Sequence, residues 1–191
     1  MAASRSDPGS SNAPEPVRDL PAGDLSPWLV QVHAAIGGEA PSVVACGACT
    51  ACCTSSQFVH VEPDETDTLA HVPRELLFPA PGEPPGHLVL GYDERGHCPM
   101  LVDGRCSIYE HRPRACRAYD CRIFAATGIE PDRPRIAERT RRWRFDLPTD
   151  ADRRAHDALR AAAGTLDPDD GASATERALR ATEVASRLFM G

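Results

Sequence analysis

Lysine is missing from this sequence; all 21 basic residues are Arg. That excludes a Schiff-base lysine and the lysine of a phosphate-binding P-loop. Large apolar side chains are scarce. Leu, Ile, Val and Phe make up 35 of 191 residues, a low share for a globular chain. Aromatics reach only 5%. No stretch approaches the ~18 consecutive apolar residues that a membrane span needs. The segment from Met1 to Pro8 has no apolar run of the signal-peptide kind. The net charge of −7 disfavours nucleic acid and anionic lipid as partners of the whole surface. These absences point to a soluble cytoplasmic protein of one domain, with a tail and a small helical addition.

Such a chain needs a source of order beyond its core. The 18 prolines imply many loops, and the alanines bury little area each. Metal coordination can fill that role, because a structural metal contributes roughly 10–16 kcal/mol of folding energy in small zinc modules. The eight cysteines are the candidates. Four lie in Cys46-Gly47-Ala48-Cys49-Thr50-Ala51-Cys52-Cys53; the others are Cys98, Cys106, Cys116 and Cys121. In a reducing compartment such a pattern reads as metal-binding or catalytic before it reads as disulfides.

Cys46-x2-Cys49-x2-Cys52 brings three thiolates together on one loop. Cys53 points elsewhere, because neighbouring side chains of an extended segment face apart. The run therefore supplies three convergent ligands and a fourth for a second centre or another corner of the first. Ferredoxin-type runs use similar spacing with a distant Cys-Pro, loosely echoed by Cys98-Pro99. Zinc sites more often pair two tight knuckles, and only the first half here is tight. The spacing favours an iron–sulfur cluster, [4Fe-4S] in type, with Zn2+ as the alternative. The radical S-adenosylmethionine spacing is not met, because Ser56 stands where its third cysteine would fall.

The pattern predicts an α+β fold: a small cysteine-rich domain over residues 25–145, stapled by metal and built with short β-hairpins. An N-terminal helix and a C-terminal helical hairpin over 146–191 flank it, after a disordered tail over 1–24. The first helix starts with Ser26 as N-cap and carries Trp28, Leu29, Val32, Ala35 and Ile36 at helical spacing. A strand is expected around Phe58 to Val61, and a helix from Pro63 to His71 with Leu69 and Ala70 inward. Asp103-Gly104 is a hairpin turn that brings Cys98 and Cys106 together. Pro113 opens a helix running to about Phe124, and another spans Asp132 to Trp143. Thr149 with Asp152, and Ser173 with Glu176, form capping boxes for the last two helices.

One further pattern is specific. Cys46-x2-Cys49-x2-Cys52-Cys53 is followed by Cys98-Pro99-Met100-Leu101 with Gly104, and by Cys106-Ser107-Ile108-Tyr109-Glu110. Arg112-Pro113 and Cys116-Arg117-Ala118-Tyr119 complete it. Over about residues 43–125 this resembles the cysteine-cluster family of zinc- or iron-chelating proteins, often called YkgJ-like, which also includes the flagellin lysine N-methylases. The resemblance implies a metal site through the cysteines and leaves redox or methyl-transfer chemistry open; no substrate or methyl-donor residue can be carried over to this shorter chain. A structural zinc adaptor without catalysis is the alternative from another class, and a metal carrier is a third. Arg112 and Arg117 belong to the family pattern and are expected to offset thiolate charge beside the ligands.

Other candidates carry less. Eight thiols saturate two four-coordinate sites, so His97 and His111 are not needed as ligands. Tyr109 and Tyr119 are expected to shield the site, and Trp28 and Trp143 to anchor helices. Residues 98–145 hold 11 Arg against 6 acids. Their densest part, Arg133 to Arg144, reads first as a solvated helix face and second as a surface for a protein partner. Without an aromatic-rich face, nucleic-acid binding is not expected.

Overall fold

The computed structural model describes residues 18–42, 44 and 49–190. Cys46 and residues 1–17 of the expected tail lie outside the described residues. The remainder is a mixed α+β arrangement with small sheets, a cysteine-rich centre and a C-terminal helix pair.

The chain enters as a strand, β1 (Leu20–Asp24), where the sequence predicts tail. β1 pairs in parallel with β7 (Trp143–Asp146), setting Leu20 opposite Trp143. The strand has little apolar character, so its pairing with a distant strand could not be read locally. Helix α1 (Leu25–Ile36) follows. Leu25, Trp28, Val32 and Ala35 are buried, whereas Ile36 is exposed. Asp24, not Ser26, occupies the N-cap position. Ser26 lies inside the helix and donates its hydroxyl to Asp152.

Three short strands form the second sheet: β2 (Val59–Val61), β3 (Leu77–Pro79) and β4 (Leu88–Leu90). β4 lies in the middle and is antiparallel to both neighbours. Helix α2 (Thr66–His71) lies between β2 and β3 in sequence and is shorter than predicted. Its buried residue is Thr68; Leu69 is half-buried and Ala70 exposed, against the expected inward pair. The Thr68 hydroxyl donates to the carbonyl of His111, 2.9 Å away, and so faces another segment of chain.

The predicted hairpin forms as β5 (Leu101–Val102) and β6 (Arg105–Cys106). Asp103 and Gly104 both take positive φ, 49° and 73°, the geometry of a type I′ turn. The predicted helix after Pro113 is two helices, α3 (Arg114–Ala118) and α4 (Arg122–Thr127). The break at Tyr119–Cys121 lets Asp120 turn inward. α5 (Pro134–Thr140) ends before Trp143, which sits on β7 and not on a helix.

Both predicted capping boxes are present. Thr149 and Asp152 exchange bonds at the start of α6 (Asp150–Gly164). Ser173 and Glu176 do so at the start of α7 (Ala174–Met190). α6 packs along α7, and both lie on α4. The contact uses small residues: Ala155 and Ala162 on α6, and Ala174, Ala178, Ala181 and Ala185 on α7, are buried. Leu159 is fully covered, a burial that contributes roughly 1.5–3 kcal/mol. These helices share one core with Trp28, Phe124, Ile136 and Trp143. A second, smaller core joins Val61, Val72, Leu77, Leu90, Met100 and Ile108.

Asp152 ties α6 to α1. The Ser26 hydroxyl, and after it Thr149, hold its carboxyl down at about 2. A carboxyl depressed by folding contributes stability above its unfolded value of ~3.9, which is lost as pH falls toward the folded value. Acid unfolding of the wild type should therefore steepen between about pH 4 and pH 2. Asp152→Asn should flatten that window in denaturation midpoints measured across it. An unchanged slope in the variant would contradict the assignment.

Candidate metal centre

Six of the seven described cysteines are placed by local geometry that the sequence supports. Cys52 and Cys53 open a 3-10 turn, Cys52–Thr54, where successive side chains diverge by about a third of a turn. The Thr54 hydroxyl closes the turn by donating to the Thr50 carbonyl at 2.9 Å. The amide of Cys98 donates to the carbonyl of Cys53 at 2.7 Å, joining the first cysteine group to the second. Just before it, the chain needs Gly96. Its φ is +76°, and a β-carbon there would lie 2.1 Å from the Ser56 hydroxyl oxygen. The Ser56 amide donates to the Gly96 carbonyl at 2.9 Å, so the two loops are in direct contact. Cys106 pairs with Leu101 across the hairpin, and the Leu101 amide donates to the Cys98 carbonyl at 2.9 Å. Cys116 lies on α3, and Cys121 immediately precedes α4.

All seven described cysteines line one cavity of about 720 Å³. Its apolar wall includes Val59, Leu90, Met100, Ile108, Ile136 and Trp143. Among the described residues, no three thiol sulfurs lie within 4.8 Å of one another. Cys121 is buried and the other six are half-buried. Burial pushes the Cys116 thiol up to about 12, and thiolate charge at Cys98, Cys53 and Cys106 would push it the same way. Burial also raises Cys98, with a smaller contribution from Cys106. Such thiols do not ionise together unless a cation compensates them, which is the chemistry a metal supplies to a thiolate set. The donor set therefore fits a thiophilic metal or an iron–sulfur group.

The neighbours are of two kinds. The Arg112 guanidinium lies 3.6 Å above the Tyr109 ring and donates through Nε to the Tyr109 carbonyl. Arg112 lines the cavity, and its charge favours ionisation of Cys116. Arg117 instead pairs with the buried Glu65 at 3.6 Å. Both predicted tyrosines line the cavity, Tyr119 half-buried and Tyr109 half exposed. Burial, followed by the charges of Cys52 and Cys121, raises the Tyr119 phenol and keeps it neutral. Trp143 donates its indole N–H to the Cys121 sulfur at 3.3 Å. The sequence reading missed this contact because it placed Trp143 on a helix.

Of the arginines from Arg133 to Arg144, Arg141 pairs with Glu130, Arg144 with Asp19, and Arg139 stacks over Trp143. His111 is not in the cavity wall. It meets Asp67 and His71 in a group of three possible ligands within 4.8 Å. The His71 and His111 rings stack at 3.5 Å and 4°. An ion bound in the plane of one ring would lie well out of the plane of the other, off the line of its nitrogen lone pairs. The group acts as a bracket: Asp67 accepts from His111 at 2.9 Å, tying α2 to the segment between Cys106 and Cys116. The i,i+4 spacing of Asp67 and His71 is visible in sequence, but the approach of His111 from forty residues away is not.

A family model of the CxxCxxCC domain, described as a zinc- or iron-chelating domain, matches residues 45–143, just over half of the chain. The chain belongs to the CxxCxxCC family. Comparisons with curated proteins and with solved structures return no match. The CxxCxxCC match reaches beyond the expected end near residue 125, taking in α5 and stopping at Trp143, the residue that donates to Cys121. α6 and α7 lie after it.

Within the CxxCxxCC segment, Asp120 fixes the position of Cys121. Its carboxylate accepts from the indole of Trp28 at 2.9 Å, from Ser42 at 3.1 Å, and from both the amide and the guanidinium of Arg122. Arg122 in turn donates to the carbonyl of Ala22 on β1 at 3.0 Å. Both ionic partners are buried. Removing one partner of a buried pair costs about 3–5 kcal/mol, because the other charge is left uncompensated. Asp120→Ala should lose stability of that order in chemical denaturation. A loss below about 1 kcal/mol, typical of a surface pair, would rule out this role.

Proposed function

We propose that this CxxCxxCC protein carries iron in iron–sulfur form, with Cys46, Cys49, Cys52, Cys53, Cys98, Cys106, Cys116 and Cys121 as the thiols that supply its ligands. The spread of the thiols around one cavity carries the reading. A single tetrahedral zinc takes four sulfurs at about 2.3 Å and so draws them almost into contact, leaving no cavity between them. A cluster holds its irons apart, and each iron takes its own thiolate, so its ligands stand wider. When bound, such a group supplies one-electron chemistry.

The chain's own residues prepare the place. Apolar side chains make up much of the cavity wall. Arg112 brings positive charge to its wall, held there by stacking on Tyr109. Trp143 donates to a ligand sulfur, a contact that tunes cluster potential. A cluster suits a role in redox chemistry, as an enzyme or as an accessory to one, and the family resemblance leaves methyl-transfer chemistry open; the reaction itself is not assigned. Among the described residues no helix is long and apolar enough to cross a membrane. The arginines between Arg133 and Arg144 read first as a solvated surface and second as a face for a protein partner.

Protein purified without oxygen should be coloured, with broad visible absorption and acid-labile sulfide in proportion to iron. Colourless protein with stoichiometric zinc and no sulfide, before and after anaerobic reconstitution, would replace this reading with a structural zinc module.

A further inference from the structure

The adjacent cysteines of the 3-10 turn face different surroundings. Cys52 packs on the helical core, as does Cys121, which is buried in it. Cys98 and Cys106 pack on the second core, the one built around Val61, Leu90 and Met100. Cys53 belongs with the latter pair, since its carbonyl receives the Cys98 amide and the hairpin carries Cys106 beside Cys98. Helix α3, which carries Cys116, packs on β2 of the three-stranded sheet. Cys121 is also the thiol that receives the Trp143 indole, on the helical side.

We propose that the cysteines serve two separate metal centres, one held by Cys53, Cys98, Cys106 and Cys116, the other taking Cys49, Cys52 and Cys121. This rests on the metal-binding reading above and adds to it the division of ligands. Cys49 joins the second set through its two-residue spacing from Cys52, the interval of a metal-binding knuckle. Cys46 lies outside the described residues and is not assigned here. The centres are then joined by a single peptide bond between Cys52 and Cys53, whose α-carbons stand about 3.8 Å apart. They sit in unlike environments: the first against the hairpin and the three-stranded sheet, the second against the helices, with an indole N–H on one ligand.

Metal content of anaerobically prepared Cys106→Ser and Cys121→Ser separates the possibilities. Each variant should retain about half the metal of the wild type, and the double variant none. If either single variant loses all its metal while keeping wild-type helical content, the thiols form one centre and the division is wrong. A wild type with no metal at all would instead remove the metal-binding reading itself. Trp143→Phe supplies a second measurement that spares every ligand. It should shift the spectroscopic signature or potential of one centre and leave the other unchanged. A shift of both, or of neither, would overturn the division.

Discussion

The buried carboxylate of Asp120 is the constraint on which the rest of the arrangement depends. It gathers a tryptophan from α1, a serine from the approach to the cysteine run, and an arginine whose other end holds β1. Every one of these groups is polar and would be costly to bury alone. Together they satisfy one another, and the junction they form lies one residue from Cys121. A protein short of large apolar side chains thus uses a polar knot to bring its N-terminal helix, its first strand and a ligand to one place.

Around that knot the structure has two cores rather than one. The helical core is closed by alanine stripes on α6 and α7, which let the helices approach closely; the smaller core lies under the three-stranded sheet. The cysteine cavity has residues of both in its wall. A metal held there acts as a crosslink between segments about fifty residues apart, and its binding energy adds to folding energy. Thiols collected in this cavity stay protonated without a cation, so a metal that loads the site displaces their protons as it binds.

Much of this was legible in the sequence because it is local. Asp103-Gly104 forces a hairpin, and Thr149 with Asp152 and Ser173 with Glu176 write their capping boxes in plain spacing. The cysteine pattern and its neighbours pointed to the CxxCxxCC family, and the matching residues bear this out. What stayed hidden is non-local. Pro113 announces a helix start, but nothing nearby says that the helix breaks at Tyr119 so that Asp120 can turn toward Trp28 and Arg122. Trp143 has a helical neighbourhood in sequence, yet pairing with β1 makes it a strand residue. The Ser26 hydroxyl looked like a cap and instead reaches Asp152 on α6.

Hydrogen exchange on the metal-loaded and metal-stripped forms tests most directly whether the metal is the crosslink that holds the cysteine segments together. Stripping should release protected amides in residues 49–61 and 98–116, including the Cys98 amide bonded to Cys53, while α6 and α7 keep their protection. Equal protection in the two forms, or a loss centred on α6 and α7, would contradict the account.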